Sequence, residues 1–412
     1  MAEGAGLSGQ GGGDINPGGM FSPIALRGLT LRTRVIKSAT YEGMSPGGAP
    51  SAALIEHHRR LAAGGVGLTT VAYCAVNEEG RSFAGQMVAG EAAAAGLRRL
   101  CAAVHAEGGA AALQLTHCGY FTKIARRARP PQAPSRLFNA YGALAGAPLS
   151  QAMDEATIAA TIADFGAAAG WARGLGFDAI ELHMGHGYLL SQFLSPATNR
   201  RRDRWGGALA GRLALPLAVV AAARGAVGEA TPIVAKVNLS DGFRGGLEVG
   251  DAIEVARALE GAGVDALVAS GGFTSKSPLF LLRGGRPLDG MIAVEPSRAQ
   301  RAALRLFGPL VVRAYPFSEM FFLELARQVR AAVRMPLALL GGVVSRANLE
   351  RAGAEGFELV AMARALIADP DLVVRMRRGE LLRTRCDACN RCMVEMDAGG
   401  VRCVLDGPRP PG

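Results

Sequence analysis

Two histidines and a tyrosine, His183, His186 and Tyr188, fall within six residues of one another. Each imidazole can donate a hydrogen bond to an electron-rich oxygen, and the phenol can deliver a proton. The same residues would also suit a polar loop or part of a zinc site, but zinc needs a further ligand and no HExxH motif occurs. Because the chain has only 6 histidines, this spacing favours a substrate site.

A glutamine and a lysine interrupt two otherwise apolar runs of the chain. Gln114 lies where a buried amide must find partners, either in a heterocyclic ligand or in the backbone. Lys236 lies in a run where an ammonium group is costly unless it meets an anion. The lysine therefore indicates an anionic ligand, with a Schiff-base role as the alternative.

Three further apolar runs are followed by small residues, and the last of them also by an arginine. Gly271 follows the first, Gly341 and Gly342 follow the second, and Ala363 and Arg364 follow the third. Glycine lets backbone N–H groups approach a ligand closely, and an arginine can add a charge-assisted contact to phosphate. Any one of these glycines can be a plain turn, but their joint placement favours a phosphate site.

Four of the 7 cysteines, Cys386, Cys389, Cys392 and Cys403, cluster near the end of the sequence. Such a cluster is typical of a zinc or iron–sulfur site, and a set of free thiols is the alternative. The odd total and the lack of a secretory signal favour a reducing compartment, the cytoplasm.

These residues must be positioned by a repeated strand and helix pattern. Short apolar runs alternate with longer amphipathic stretches, as buried parallel strands alternate with helices. The apolar runs cover residues 35–38, 66–73, 110–115, 179–183, 233–237, 266–270, 337–341 and 359–362. Eight repeats predict a (β/α)8 barrel of the TIM type, with its chemistry at the carboxyl ends of the strands. A doubly wound open sheet is the alternative, but no GxGxxG loop follows the first strand.

The chain divides into three predicted parts. Residues 1–19 are Gly-rich and predicted to be a disordered tail, residues 20–380 form the barrel, and residues 381–412 form a Cys-rich segment. The connection 273–318 is long for a barrel loop, which predicts a lid inserted after strand six. No apolar run reaches the roughly 18 residues of a membrane span, so we expect no membrane partner.

The basic surplus has an ordinary interpretation. The net charge is +10, but no run of five or six basic residues occurs, so we expect no nucleic-acid partner. Two short clusters, at residues 126–129 and 200–202, would suit an anionic substrate or cofactor.

Taken together, residues 21–378 resemble the old yellow enzyme family. The resemblance rests on LRTRVIKSATY at 31–41, HMGHGYLL at 183–190 and NRRRDRWGGALAGR at 199–212. It implies that FMN is the cofactor, that His183 and His186 hold the substrate oxygen, and that Tyr188 is the catalytic proton donor. It implies that Gln114 binds the flavin pyrimidine and that Lys236 faces the flavin, where it would stabilise the negative charge of the reduced form. The full cofactor-binding set that we predict is Ser38, Ala39, Thr40, Tyr41, Tyr73, Gln114, Lys236, Gly271, Gly341, Gly342, Ala363 and Arg364.

Two departures from the family pattern leave questions open. The position that tunes the flavin in relatives is Tyr41 here, or Thr40 if the register slips by one. The cysteine segment is similar to that of the 2,4-dienoyl-CoA reductase and trimethylamine dehydrogenase type, with one spacing a residue shorter. We therefore expect a short form without the nucleotide-binding domains of those enzymes, and the metal question stays open.

The resemblance implies an oxidoreductase that works in two half-reactions. FMN takes hydride from NADH or NADPH, and an activated alkene of the enone, enal or dienoyl type then binds in the same place and is reduced. The two histidines would stabilise the developing enolate, and the tyrosine would protonate it. The alternatives are a flavin-dependent dehydrogenase or demethylase and a non-catalytic ligand-binding barrel. A homo-oligomer stays open.

Overall fold

The computed structural model describes residues 19–124 and 129–407. Of the predicted tail at residues 1–19, only Gly19 lies inside this part, where it begins a short 3-10 turn, Gly19–Phe21. Arg126 and Arg127 of the first basic cluster lie outside the described residues.

Eight parallel strands close into a barrel, which confirms the predicted (β/α)8 fold. Each strand is hydrogen-bonded to the next in the chain, and the eighth is bonded to the first. All their residues are buried, as expected of a parallel sheet covered by helices on its outer face. The strands are β1 (Val35–Lys37), β2 (Leu68–Ala75), β3 (Ala110–Thr116), β4 (Ala179–Met184), β5 (Ile233–Asn238), β6 (Ala266–Ser270), β7 (Leu337–Leu340) and β8 (Leu359–Met362).

Four of the described helices begin after a capping side chain. Ser51, Asp154, Ser297 and Ser345 each accept a hydrogen bond from a first-turn backbone N–H. The helices are α1 (Ala52–Ala63), α2 (Glu91–Ala106), α3 (Glu155–Gly174), α4 (Leu189–Leu194), α5 (Leu209–Val227), α6 (Val249–Gly261), α7 (Leu288–Val294), α8 (Arg298–Val311), α9 (Leu323–Arg330), α10 (Arg346–Ala354), α11 (Arg364–Ala368), α12 (Leu372–Arg378) and α13 (Cys392–Asp397).

Helix α5 is, among the described residues, the one helix long and apolar enough to cross a membrane by length and composition. It packs along α3, where a side-chain carbon added at Gly166 would lie 3.2 Å from the carbonyl oxygen of Ala222. Core helices of globular proteins pass the same composition test. The close approach to α3 assigns α5 to the outer helical layer of the barrel.

Two small sheets lie outside the barrel. An antiparallel hairpin, Ile24–Leu26 with Leu29–Leu31, precedes β1. Its turn residue Arg27 bonds to Asp265, immediately before β6, at the end of the barrel away from the candidate site. The connection from β3 to α3 holds a pair of two-residue strands, Gln132–Ala133 with Gln151–Ala152.

The predicted insertion after β6 and the Cys-rich segment both fold over the carboxyl ends of the strands. The insertion carries α7 and α8. The Cys-rich segment returns to the first βα connection, where Val401 N–H donates to the carbonyl of Glu42 at 2.6 Å. Both segments therefore form walls around the end of the barrel where chemistry is expected.

Candidate active site

A cavity of about 380 Å³ opens at the carboxyl ends of the strands. Most of the side chains predicted from the sequence line it. They are Ser38, Ala39, Thr40, Tyr41, Tyr73, Gln114, His183, His186, Tyr188, Gly341, Gly342, Ala363 and Arg364. Two predicted cofactor residues, Lys236 and Gly271, are not among the lining residues.

The two histidines and the tyrosine converge on this cavity. The ring centres of His183 and His186 lie 4.9 Å apart, and those of His183 and Tyr188 lie 4.7 Å apart. His183 comes from β4, and His186 follows in a left-handed conformation with φ 60. That conformation is uncommon for a residue other than glycine, and it is held by a hydrogen bond from His186 N–H to Asn238 Oδ1 at 3.0 Å.

Both imidazoles are neutral at neutral pH. Burial lowers the pKa of His186 to about 3, and the charge of Lys236 adds to the effect. Burial, followed by His186 and Lys236, lowers the pKa of His183 well below its usual value. His183 Nδ1 is buried without a hydrogen-bond partner, and His186 Nε2 lies 2.7 Å from Ser270 Oγ. A neutral imidazole offers one N–H donor and one acceptor, so each ring can donate to a ligand oxygen.

Tyr188 stays protonated in the same surroundings. Its side chain is buried, with its ring centre 5.0 Å from that of Tyr73 and 6.0 Å from that of Phe121. Burial raises the pKa of Tyr188 to about 12, although the hydroxyl groups of Tyr73 and Thr274 act in the opposite direction. The phenol is therefore an O–H donor throughout the neutral pH range.

Aromatic side chains complete the wall beside Tyr188, and of these the sequence had singled out only Tyr41. Phe121 and Tyr141 are stacked with ring centres 4.3 Å apart, and Tyr41 packs edge-on against Phe83 at 4.9 Å. These rings come from the connections that follow β1, β2 and β3, whose course no sequence period predicts. They give the cavity flat apolar faces that suit a planar ligand.

Beneath the cavity lies a buried network of three polar side chains. Glu181 Oε1 accepts hydrogen bonds from Gln114 Nε2 at 2.7 Å and from Lys236 Nζ at 2.9 Å. Sequence reasoning missed Glu181. The signal available was a carboxylate inside an apolar strand, two residues before His183 and on the same face of β4.

The opposite end of the cavity is small and basic. Gly341 and Gly342 have φ 104 and φ 73, and a side-chain carbon at Gly341 would lie 2.7 Å from the ring of Phe321. Arg364 lines this end and is oriented by donating to the carbonyl of Arg283 at 2.9 Å. Bare backbone beside a guanidinium group suits a phosphate.

The four terminal cysteines lie behind Arg364, where they line a second cavity of about 20 Å³. All four are free thiols. Within residues 19–124 and 129–407, no group of three or more His, Cys, Asp or Glu residues is arranged to hold a metal ion. The predicted zinc or iron–sulfur site is therefore not supported, and burial raises the pKa of the Cys392 thiol to about 11.

The Cys-rich segment nevertheless belongs to the site. Cys386 and Cys392 line the main cavity as well as the small one, and Met393, Met396 and Asp397 join them there. The sequence pattern indicated a separate segment after the barrel. The fold places that segment against the β1 connection, so it contributes to the cavity wall.

Comparison with known proteins identifies the family. The sequence model of the NADH:flavin oxidoreductase / NADH oxidase family matches residues 19–272. The chain belongs to this family. The resemblance to old yellow enzymes found in the sequence is thereby confirmed. Members of this NADH:flavin oxidoreductase family are FMN-dependent and take reducing equivalents from a nicotinamide nucleotide.

Two relatives show the range of lengths within the NADH:flavin oxidoreductase family. The 4,4'-dithiodibutanoate disulfide reductase of Rhodococcus erythropolis is 42% identical over 389 residues, which are 94% of this chain and 94% of the relative. The metal reductase of Desulforamulus reducens is 31% identical over 395 residues, which are 92% of this chain but 54% of the relative. The chain thus spans about half the length of the second relative.

Solved structures share the fold at lower identity. The complex of 2-naphthoyl-CoA reductase with 2-naphthoyl-CoA matches with a TM-score of 0.79 and 23% identity, over 95% of this chain and 57% of that one. Morphinone reductase in complex with tetrahydroNAD matches with a TM-score of 0.68 and 24% identity, over 91% of this chain and 94% of that one.

The residues around the cavity fit FMN. Gln114 and the unpartnered Nδ1 of His183 place polar atoms at one end, which suits the ring edge of a flavin. Arg364 and the backbone of Gly341 and Gly342 lie at the other end, which suits its phosphate. Aromatic and apolar side chains line the space between.

Proposed function

We propose that this chain is an FMN-dependent NAD(P)H reductase of activated C=C bonds, in which the nicotinamide and the alkene occupy the same cavity in turn. The observation that carries the proposal is the convergence of His183, His186 and Tyr188 on the cavity. When bound there, FMN supplies the hydride-transfer chemistry. The protein supplies the position of the substrate, the stabilisation of charge and the proton.

His183 and His186 bind the oxygen that activates the double bond. Because both rings are neutral, they donate hydrogen bonds to that oxygen without a fixed cation. Such bonds strengthen as the oxygen gains negative charge during the reaction, which is how preorganised donors stabilise a transition state. Ser270 holds one nitrogen of the His186 ring, so the orientation of that ring is set before the substrate binds.

Tyr188 delivers the proton to the α-carbon. Its pKa of about 12 keeps the phenol protonated until carbon with carbanion character lies beside it. The hydroxyls of Tyr73 and Thr274 act on the same group and favour the phenolate that remains after transfer. The proton donor and the two oxygen-binding rings thus have separate tasks within one cavity.

Disulfide reduction is the second candidate function, and two observations favour it. The relative that is 42% identical over 94% of both chains is named for a disulfide with two carboxylate ends. Lys123 lines the cavity with its ammonium 5.6 Å from the ring centre of Tyr141, and its charge acts on Asp397, which lines the same cavity. A disulfide takes up two electrons and two protons to give two thiols. Tyr188 would protonate a departing thiolate, and Lys123 would pair with a carboxylate.

A stopped-flow experiment distinguishes the candidates. Protein loaded with FMN is reduced anaerobically with one equivalent of NADH or NADPH and mixed with a cyclic enone, with 4,4'-dithiodibutanoate or with buffer. Rapid return of the oxidised flavin absorbance with the enone, and one mole of saturated ketone per mole of NAD(P)H, supports alkene reduction. Reoxidation by the disulfide alone, with two thiols formed, supports the second function. Reoxidation by neither the enone nor the disulfide contradicts both functions.

Reduction of the oxidised protein by an amine would indicate the dehydrogenase alternative.

A further inference from the structure

Glu181 is buried at the floor of the cavity, in contact with the two polar side chains that the sequence predicted at the cofactor. The residue, like Lys236, is 1% exposed. Gln114 lies opposite Glu181 in the pairing of β3 with β4, and Lys236 lies opposite His183 in the pairing of β4 with β5. Residues opposite each other in a parallel sheet share a face, so all four side chains point into the barrel.

The carboxylate orients the amide of Gln114. Because Gln114 Nε2 donates to Glu181, the amide oxygen is turned to the other side. Gln114 lines the cavity, so that oxygen is available to a ligand N–H. Without Glu181, the buried amide could present either its oxygen or its nitrogen to the cavity.

The same carboxylate balances the charge of Lys236. A buried ammonium without an anionic partner is strongly disfavoured. Burial accordingly lowers the pKa of Lys236, and the carboxylate of Glu181 acts to raise it. Lys236 lies in the layer of His183, one residue pair nearer the cavity than Glu181. The ion pair lies beneath the cavity, and neither of its two side chains is among the lining residues.

We propose that Glu181 is a positioning residue that holds Lys236 and Gln114 beneath the cavity and thereby sets the reduction potential of bound FMN. A cation beneath the cavity stabilises the negative charge of a reduced flavin, and its carboxylate partner limits that effect. The inference rests on the family assignment and not on the identity of the substrate.

The test is the midpoint potential of the FMN-loaded protein, measured by dye equilibration without nicotinamide or substrate. Glu181→Gln removes the carboxylate that pairs with Lys236, and the buried pair of Lys37 and Glu42 remains as the other charges that act on the lysine. We expect the potential at low pH to exceed that of the wild type. We expect the excess to disappear in a step as the pH rises, because a buried ammonium without its carboxylate partner loses its proton at a lower pH than a paired one. The proposal would be overturned if the wild type and the variant, both with FMN fully bound, had the same midpoint potential at every pH.

Two further variants separate charge from stability. The double variant Glu181→Gln/Lys236→Met removes both charges of the ion pair. This protein should therefore fold even if the single variant does not. Its midpoint potential should show no pH-dependent step of the kind expected for Glu181→Gln. A step that persists without Lys236 contradicts the assignment. Asp265→Asn is the matched control, since Asp265 is 10% exposed and pairs with Arg27 and Arg224 at the far end of the barrel. We expect it to lower the thermal stability and leave the potential unchanged. A merely structural Glu181 would behave in the same way as this control.

Discussion

His186 Nε2 lies 2.7 Å from the hydroxyl oxygen of Ser270, the last residue of β6. The backbone N–H of His186 is bound by Asn238, the last residue of β5. The ends of β5 and β6 thus hold His186, which follows β4, in a left-handed backbone conformation that it would not adopt alone. One ring nitrogen is occupied by the serine, and the other remains for a ligand.

The serine contact predicts that Ser270→Ala weakens the binding of phenols, which mimic an enolate oxygen. The loss of one hydrogen bond should raise the dissociation constant about three- to tenfold. Titration of the long-wavelength absorbance band of the phenol complex measures it. Thr116→Val is the control, because the Thr116 hydroxyl is buried at the end of β3, elsewhere in the barrel, without a hydrogen-bond partner. Equal weakening in both variants would contradict a specific role for Ser270.

The proton-donor role predicts that Tyr188→Phe affects one half-reaction. Reduction of the oxidised protein by NAD(P)H should be nearly unchanged, since no proton goes to the substrate side. Enone reduction should slow by roughly 10²–10⁴-fold, the usual effect of a lost general acid, and nitro-olefins should be affected less. Stopped-flow absorbance of each half-reaction measures both, with Tyr141→Phe as a second cavity tyrosine for control. Equal slowing of both half-reactions would make Tyr188 structural.

The cation at Lys123 predicts selectivity for anionic substrates if disulfides are reduced. Lys123→Met should raise the KM for 4,4'-dithiodibutanoate about tenfold, as expected for a lost charge-assisted contact, and leave that of an uncharged disulfide unchanged. Lys276→Met is the control, because Lys276 also lies over an aromatic ring, 5.3 Å from that of Phe243, but does not line the cavity. A KM that rises equally for both disulfides would exclude carboxylate recognition by Lys123.

The neutral state of His186 predicts a pH dependence of stability. Its folded pKa of about 3 is below the value near 6.5 of an unfolded histidine, so the unfolded chain binds more protons between these values. Stability should therefore fall as the pH decreases below about 6.5, by at most about 1.4 kcal/mol per pH unit from this residue. His186→Asn should show a shallower decline in thermal unfolding between pH 6.5 and pH 4. Identical slopes would mean that His186 does not contribute.

The sequence by itself determined the barrel and the main cluster of candidate catalytic residues. Eight apolar runs bounded by helices permit few folds, and side chains that follow such runs meet at one end of a barrel. His183, His186 and Tyr188 could be predicted because they are close in the chain and lie at a strand end. Their convergence required only the local geometry of β4 and the turn after it.

Only the tertiary structure decided which side chains meet across strands and loops. The partner of Lys236 proved to be Glu181 on the neighbouring strand, so the lysine lies beneath the cavity and not on its wall. Lys123 and Tyr141 reach the cavity on the long connection after β3, and Asp397 reaches it at the end of α13, far away in the sequence. The physical reason is that periodicity reports which face of an element is buried, whereas the register of strands and the course of long loops depend on packing between distant parts of the chain.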